Sequence, residues 1–193
     1  MFKTLKFMLI ALASVALMSG CGGAKPTAEN KEAPVSKSTN AGTNSNLKTI
    51  YVSSKATYDG PIAQNIKDEC SIDSQVMEWI KRYAAKNNIN IVMNGKPKAT
   101  DMVLKIFITD AISQRMGPMG QNKNIIILGK LYKGKTLQAS FKAARRSGGG
   151  YFSMYRTSCS VLGSCAKTLG RDTANWLRHP VNNAKLGDVY LIK

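Results

Sequence analysis

The stretch NIIILGKLYKGKTLQASFKAA, from Asn124 to Ala144, decides the architecture. Two β-rich arms, Asn124 to Tyr132 and Thr136 to Ala144, flank Lys133-Gly134-Lys135, which reads as a tight hairpin. In the second arm Leu137, Ala139, Phe141 and Ala143 alternate with Thr136, Gln138, Ser140 and Lys142. Successive side chains of a strand point to opposite faces, so this alternation predicts one buried and one wetter face. Upstream, Met102, Leu104, Ile106 and Ile108 alternate in the same way with Val103, Lys105, Phe107 and Thr109. Three sequential strands with short connections predict an antiparallel meander.

Thr49 to Ser53 is a further β-rich run, and Thr57 to Pro61 turns the chain away from it. Cys70-Ser71-Ile72-Asp73 then introduces a helix on which Ile72, Val76, Trp79, Ile80 and Tyr83 recur at helical spacing. Asp68, Glu69 and Asp73 gather at its start and Lys81, Arg82 and Lys86 at its end, as the helix dipole favours. Asn87-Asn88 stops the helix, Ile89 to Met93 follows as a strand, and Asn94-Gly95-Lys96-Pro97 as a turn. After a loop from Arg145 to Tyr155, a second helix carries Leu162, Cys165, Leu169, Thr173 and Trp176 on one stripe. It ends at Arg178-His179-Pro180. The order β-α-β-β-β-β-α predicts an α/β (α+β) fold in the form of a two-layer sandwich. Its mixed, mostly antiparallel sheet has about five strands, with two helices on one face.

The address is clearer than the job. A basic start (Lys3, Lys6) precedes an apolar run from Phe7 to Met18, and small residues stand before Cys21. Leu17-Met18-Ser19-Gly20-Cys21 resembles the bacterial lipobox, with Met18 where leucine is usual. That resemblance implies a signal peptide over residues 1–20 and a lipidated Cys21 that fixes the chain to a membrane. Gly22 stands where an inner-membrane retention signal usually shows Asp, which implies the outer membrane, facing the periplasm. Residues 21–47 are almost devoid of large apolar side chains and read as a flexible tether. Such a coil spans roughly 28 Å. Residues 48–193 are the length of a single α/β domain.

The precursor carries 28 Lys and Arg against 11 Asp and Glu, a net +17. The excess is uneven, since Asp172 and Asp188 are the only acidic residues after Asp110. Such a field attracts anionic surfaces. An exported chain does not meet nucleic acid, so lipid phosphates, lipopolysaccharide or another acidic polysaccharide are the expected counter-charges.

Beyond Cys21, three cysteines remain: Cys70, Cys159 and Cys165. Oxidising surroundings favour one disulfide and one buried thiol. Cys70 and Cys159 each stand at the entrance to a helix, and both helices pack on one sheet face. The expected pair is therefore Cys70–Cys159, with Cys165 buried on the second helix's stripe. A local Cys159–Cys165 link stays open if that helix begins after Gly163.

The expected docking face is the one the helices leave uncovered: Val103, Lys105, Phe107, Gln138, Ser140 and Lys142. Arg145 and Arg146 beside Gly148-Gly149-Gly150 form a candidate anion contact, without the Lys and Ser or Thr of a phosphate-binding loop. Met116-Gly117-Pro118-Met119-Gly120 reads as a turn before it reads as a thioether site for a soft metal. With His179 as the one histidine and few acids, no catalytic triad or carboxylate pair can be assembled. No enzyme activity, metal or cofactor is expected.

The layout, the anchor, Arg145 to Gly150, Thr157-Ser158-Cys159 and the run Asp172 to Pro180 resemble a family of uncharacterised bacterial outer-membrane lipoproteins. The layout is also similar to the N-terminal domain of TolB and to periplasmic assembly lipoproteins. The resemblance implies a non-enzymatic role in envelope assembly or protein–protein contact, with an envelope protein as partner. The alternative is a binding module for an anionic envelope component.

Overall fold

Residues 47–115, 121–148 and 157–192 are described by the computed structural model of the chain. The expected signal peptide, Cys21 and the expected tether up to residue 46 lie outside the described residues, as do Met116 to Gly120 and Gly149-Gly150. Elements follow in the order β1 (Lys48–Val52), β2 (Thr57–Tyr58), α1 (Gln64–Cys70), α2 (Ile72–Lys86) and β3 (Ile89–Met93). The meander β4 (Met102–Arg115), β5 (Gln121–Lys133) and β6 (Thr136–Gly148) comes next, then α3 (Ser158–Trp176) and β7 (Ala184–Gly187). A 3₁₀ turn, Val189–Leu191, ends the order.

The result is a mixed, mostly antiparallel seven-stranded sheet with the order β3-β1-β4-β5-β6-β7, and β2 beside β4. β4, β5 and β6 pair antiparallel. β1 runs parallel to both β3 and β4, as a helical crossover requires. The hairpin turns on Gly134, whose φ of 59° is left-handed backbone that a glycine adopts at little cost.

Alternation settles which way each strand faces. Leu104, Ile106 and Ile108 of β4, Ile125, Ile127 and Leu131 of β5, and Ala139, Phe141 and Ala143 of β6 are all buried beneath the helices. Ile50, Val52, Ile89 and Ile91 continue that layer across β1 and β3. α2 contributes Ile72, Val76, Met77, Ile80 and Ala84, and α3 contributes Leu162, Cys165, Ala166, Leu169 and Trp176. Trp79 and Tyr83, expected on the α2 stripe, are half-buried at its flank, with ring centroids 5.9 Å apart. The two helices approach closely at Gly170, where an added Cβ would lie 2.4 Å from the Cβ of Trp79.

Four features depart from the expected layout. The meander strands are longer: β6 runs to Gly148, so Arg145 to Ser147 belong to the sheet and not to a loop. The ladder holds there because pairing is a backbone property, and polar residues such as Ser113, Lys123 and Ser147 stay in register across three strands. α1 precedes the first expected helix and contains Asp68 and Glu69, so of those acids only Asp73 stands in the first turn of α2. Ser71, with φ 45°, breaks the two helices apart. β2 and β7 are additional strands of two and four residues.

Cys70, the last residue of α1, and Cys159, near the start of α3, are joined as a disulfide with Cα atoms 4.8 Å apart. Cys165 is a buried thiol.

Candidate functional site

The sheet face opposite the helices carries the residues that alternation assigns to it. β4 supplies Val103, Lys105 and Phe107, which stand opposite Tyr132, Lys130 and Leu128 of β5. Lys142 of β6 stands opposite Leu128 on the other side. Val103, Phe107, Ile126, Leu128 and Tyr132 are half-buried. Lys105 and Lys130 face each other directly, an arrangement that like charges disfavour. Each leans along the diagonal instead. Lys105 Nζ lies 5.3 Å from the Tyr132 ring centre and Lys130 Nζ 5.7 Å from that of Phe107. A cation over an aromatic face is held by the ring quadrupole, so the pair becomes a crossed, amphipathic lattice of lysine and ring.

Two residues expected on this face do other things. Gln138 is passed over by a register shift at the hairpin end, and its Nε2 donates to the Thr136 carbonyl at 3.4 Å. Ser140 is buried under the chain before β7. Its hydroxyl donates to Asn182 Oδ1 at 2.6 Å and accepts from the Asn183 N–H at 3.2 Å.

One edge of β4 is interrupted. β1 stops with Val52 opposite Leu104, and β2 begins with Thr57 opposite Phe107. Between them the chain leaves the sheet: the Ala56 N–H donates to the Asp73 carbonyl, and Lys55 Nζ reaches the Asp73 carboxylate at 3.5 Å. The break opens a cleft of about 500 Å³. Met77, Leu104 and Ile106 give it an apolar floor, and Tyr51, Val103 and Phe107 an apolar wall. Ser53, Lys55, Thr57, Asn94 and Lys105 supply its polar atoms.

The expected anion contact at Arg145 and Arg146 needs correction. Extension of β6 turns Arg145 toward α3, where its Nε donates to Asp172 Oδ2 at 2.7 Å and its Nη1 to Asp188 Oδ1 at 3.4 Å. The hydrogen bond that Arg145 donates to Asp172 raises the guanidinium pKa, and the charges of both carboxylates add to that. Arg145 is therefore a structural cation, engaged with Asp172 and Asp188, the only acidic residues after Asp110. Arg146 is exposed, and its backbone N–H donates to Asp188. Beside them, burial pushes the Cys165 thiol up to about 11.

Two lysines escaped the sequence reading. Lys123 is fully buried on the helix-facing side of β5, between Ser113 and Ser147. Its parity with Ile125 and Ile127 was the available signal. Lys48 Nζ donates to the Leu177 carbonyl at 3.0 Å, closing the C-terminal end of α3 across 129 residues of sequence. Its pKa is lowered by burial. No local pattern announces that contact. His179 is exposed beyond α3, where its N–H donates to the Trp176 carbonyl. No group of three metal-binding side chains occurs among the described residues. No helix among them is long and apolar enough to cross a membrane.

No family model and no curated protein match the sequence. Several solved structures follow a similar chain path at low identity. PelC of Paraburkholderia phytofirmans, a dodecamer, is 10% identical, with a TM-score of 0.41 over 64% of this chain and 86% of its own. A DUF330 protein of Xanthomonas campestris is 12% identical, with a TM-score of 0.49 over 67% and 84%. The lipoprotein GNA1162 of Neisseria meningitidis is 13% identical, with a TM-score of 0.42 over 66% and 99%.

Proposed function

We propose that this chain is a non-enzymatic, lipid-anchored envelope protein whose domain docks an acidic, partly apolar protein surface. The anchor is Cys21, by the resemblance of Leu17 to Cys21 to a lipobox, and the membrane the outer one, by Gly22 standing where an inner-membrane retention signal usually shows Asp. The observation that carries docking is the lysine–aromatic lattice of Val103, Lys105, Phe107, Leu128, Lys130 and Tyr132 on the face away from the helices. Large rings give contact area at small entropic cost, and lysines set the charge of the partner they accept. A second copy meeting this face with its own would oppose lysine to lysine, and residues 22–46 hold three lysines against two glutamates. Charge complementarity therefore favours a different, acidic partner.

A photo-crosslinker at Phe107, compared with one at exposed Lys81 on α2, tests this in cells. Adducts to an acidic protein should form from Phe107, persist in high salt after binding, and vanish in a Lys105→Glu, Lys130→Glu variant. Equal adducts from both positions, or none from Phe107, would refute docking by this face. Binding that collapses with ionic strength favours the polyanion alternative, because exposed charges more than a Debye length apart are screened.

A further inference from the structure

We infer that the cleft at the break between β1 and β2 binds an amphiphilic anion, an acyl chain that ends in a carboxylate or phosphate. This site shares Val103, Lys105 and Phe107 with the docking face, but it is argued from the break in the sheet edge and does not depend on docking. The argument begins with the sheet. A strand edge normally continues alongside its neighbour, yet β4 has no strand opposite Lys105 and Ile106 on the side of β1 and β2. The loop that would fill the place is drawn aside by α2: Ala56 bonds the Asp73 carbonyl, and Lys55 pairs with its side chain. Asn94 holds the other rim, donating its N–H to the Val52 carbonyl and accepting from the Ser54 N–H. The opening is thus tied on both sides by named hydrogen bonds.

Its lining is graded. The floor is Met77, Leu104 and Ile106, side chains that belong to the core. Tyr51, Val103 and Phe107 continue the apolar surface outward, and the polar atoms come from Ser53, Thr57, Asn94, Lys55 and Lys105. Its volume of about 500 Å³ falls within the range of roughly 300–1,000 Å³ typical of small-ligand sites. An apolar floor offers nothing to a polar sugar or nucleotide, whereas it fits methylenes. A rim with two lysines and no carboxylate among its lining residues selects a negative headgroup. Asp73 already compensates Lys55, whereas Lys105, whose Nζ rests over the Tyr132 ring, is exposed and would swing back across β4 to meet a headgroup, so headgroup choice should depend most on Lys105.

Dodecanoate titrated into the folded domain by calorimetry tests the inference, with dodecyltrimethylammonium as the control of opposite charge. One dodecanoate per chain should bind, and the ammonium should bind at least about tenfold more weakly. Val103→Trp, which fills the wall, and Lys105→Glu, which reverses the rim, should each weaken dodecanoate about tenfold or more. Circular dichroism and the thermal midpoint establish that both variants are folded. Lys105 is exposed, so its reversal keeps the test sound should the Trp variant fail to fold. Equal binding of both headgroups, unchanged binding in Lys105→Glu, or no binding to wild type would overturn the inference. Phosphatidylglycerol vesicles identify the source: transfer of lipid to the domain points to membrane lipid, and dodecanoate binding alone to free fatty acid. Either sustains the site. Cross-linking from Leu128, which lies on the docking face and outside the cleft lining, reads docking separately, so the two proposals can fail independently.

Discussion

At the scale of one residue, Cys165 shows how position determines chemistry. Its parity with Leu162 and Leu169 on α3 makes it part of the core, where a thiol behaves as a small hydrophobe. Burial disfavours the thiolate first, and nearby Asp188 adds to that, so the pKa rises from 9.0 to about 11. The sign follows directly. Below pH 9 the thiol is neutral in both folded and unfolded chains, and its contribution is fully present. As pH rises from 9 through 11 the unfolded chain ionises first, and stability falls by about 2–3 kcal/mol. The urea midpoint of wild type should therefore drop across that window more steeply than that of Cys165→Ala. Parallel pH profiles would show that the thiol does not contribute. Below pH 9 the thiol should also resist iodoacetamide until the chain unfolds, since the nucleophile is the thiolate.

At the scale of elements, long alternating or amphipathic segments were legible and short ones were not. β4, β5, β6, α2 and α3 each repeat their pattern often enough to be read. The inward set Leu104, Ile106, Ile108 and the outward set Val103, Lys105, Phe107 follow from parity alone. α1 escaped because seven residues with only Ile66 and Cys70 buried make no stripe. β2 and β7 owe their existence to the strands they join, a tertiary effect on which local sequence is silent. Gln138 falls at a register shift that alternation does not announce, because such shifts are set by the paired strands jointly. The disulfide belongs to this scale too, since it ties the short α1 to α3 across a separation of 89 residues. Closing a loop of that size stabilises a chain by about 4 kcal/mol when native geometry is unstrained. Cys70→Ser with Cys159→Ser should lose stability of that order in urea unfolding. Limited proteolysis should then cut first between β2 and α2. A loss well under 1 kcal/mol would mean that α1 is held by Ile66 and its packing instead.

At the scale of the whole molecule, charge and anchorage act together. Asp172 and Asp188, the only acidic residues after Asp110, both serve Arg145, so basic charge predominates over that stretch of the chain. A domain with such a field would associate loosely with many anionic surfaces if it were released. Attachment at residue 21 would change that by restricting the domain to one membrane and raising its effective concentration at partners there. The strength of that attachment is set by its acyl chains: each buried CH₂ contributes about 0.8 kcal/mol, so one chain binds marginally and two or three hold firmly. Cys21→Ser would remove the proposed thioether while leaving the basic domain intact, which separates anchoring from electrostatic adhesion. The variant should no longer incorporate labelled palmitate and should leave the outer-membrane fraction on washing with high salt, whereas wild type should stay. Salt is the deciding condition, because adhesion through exposed lysines weakens as the Debye length shrinks and an acyl anchor does not. Palmitate labelling and salt-resistant fractionation equal to wild type would refute the lipoprotein reading, whatever the sheet face binds.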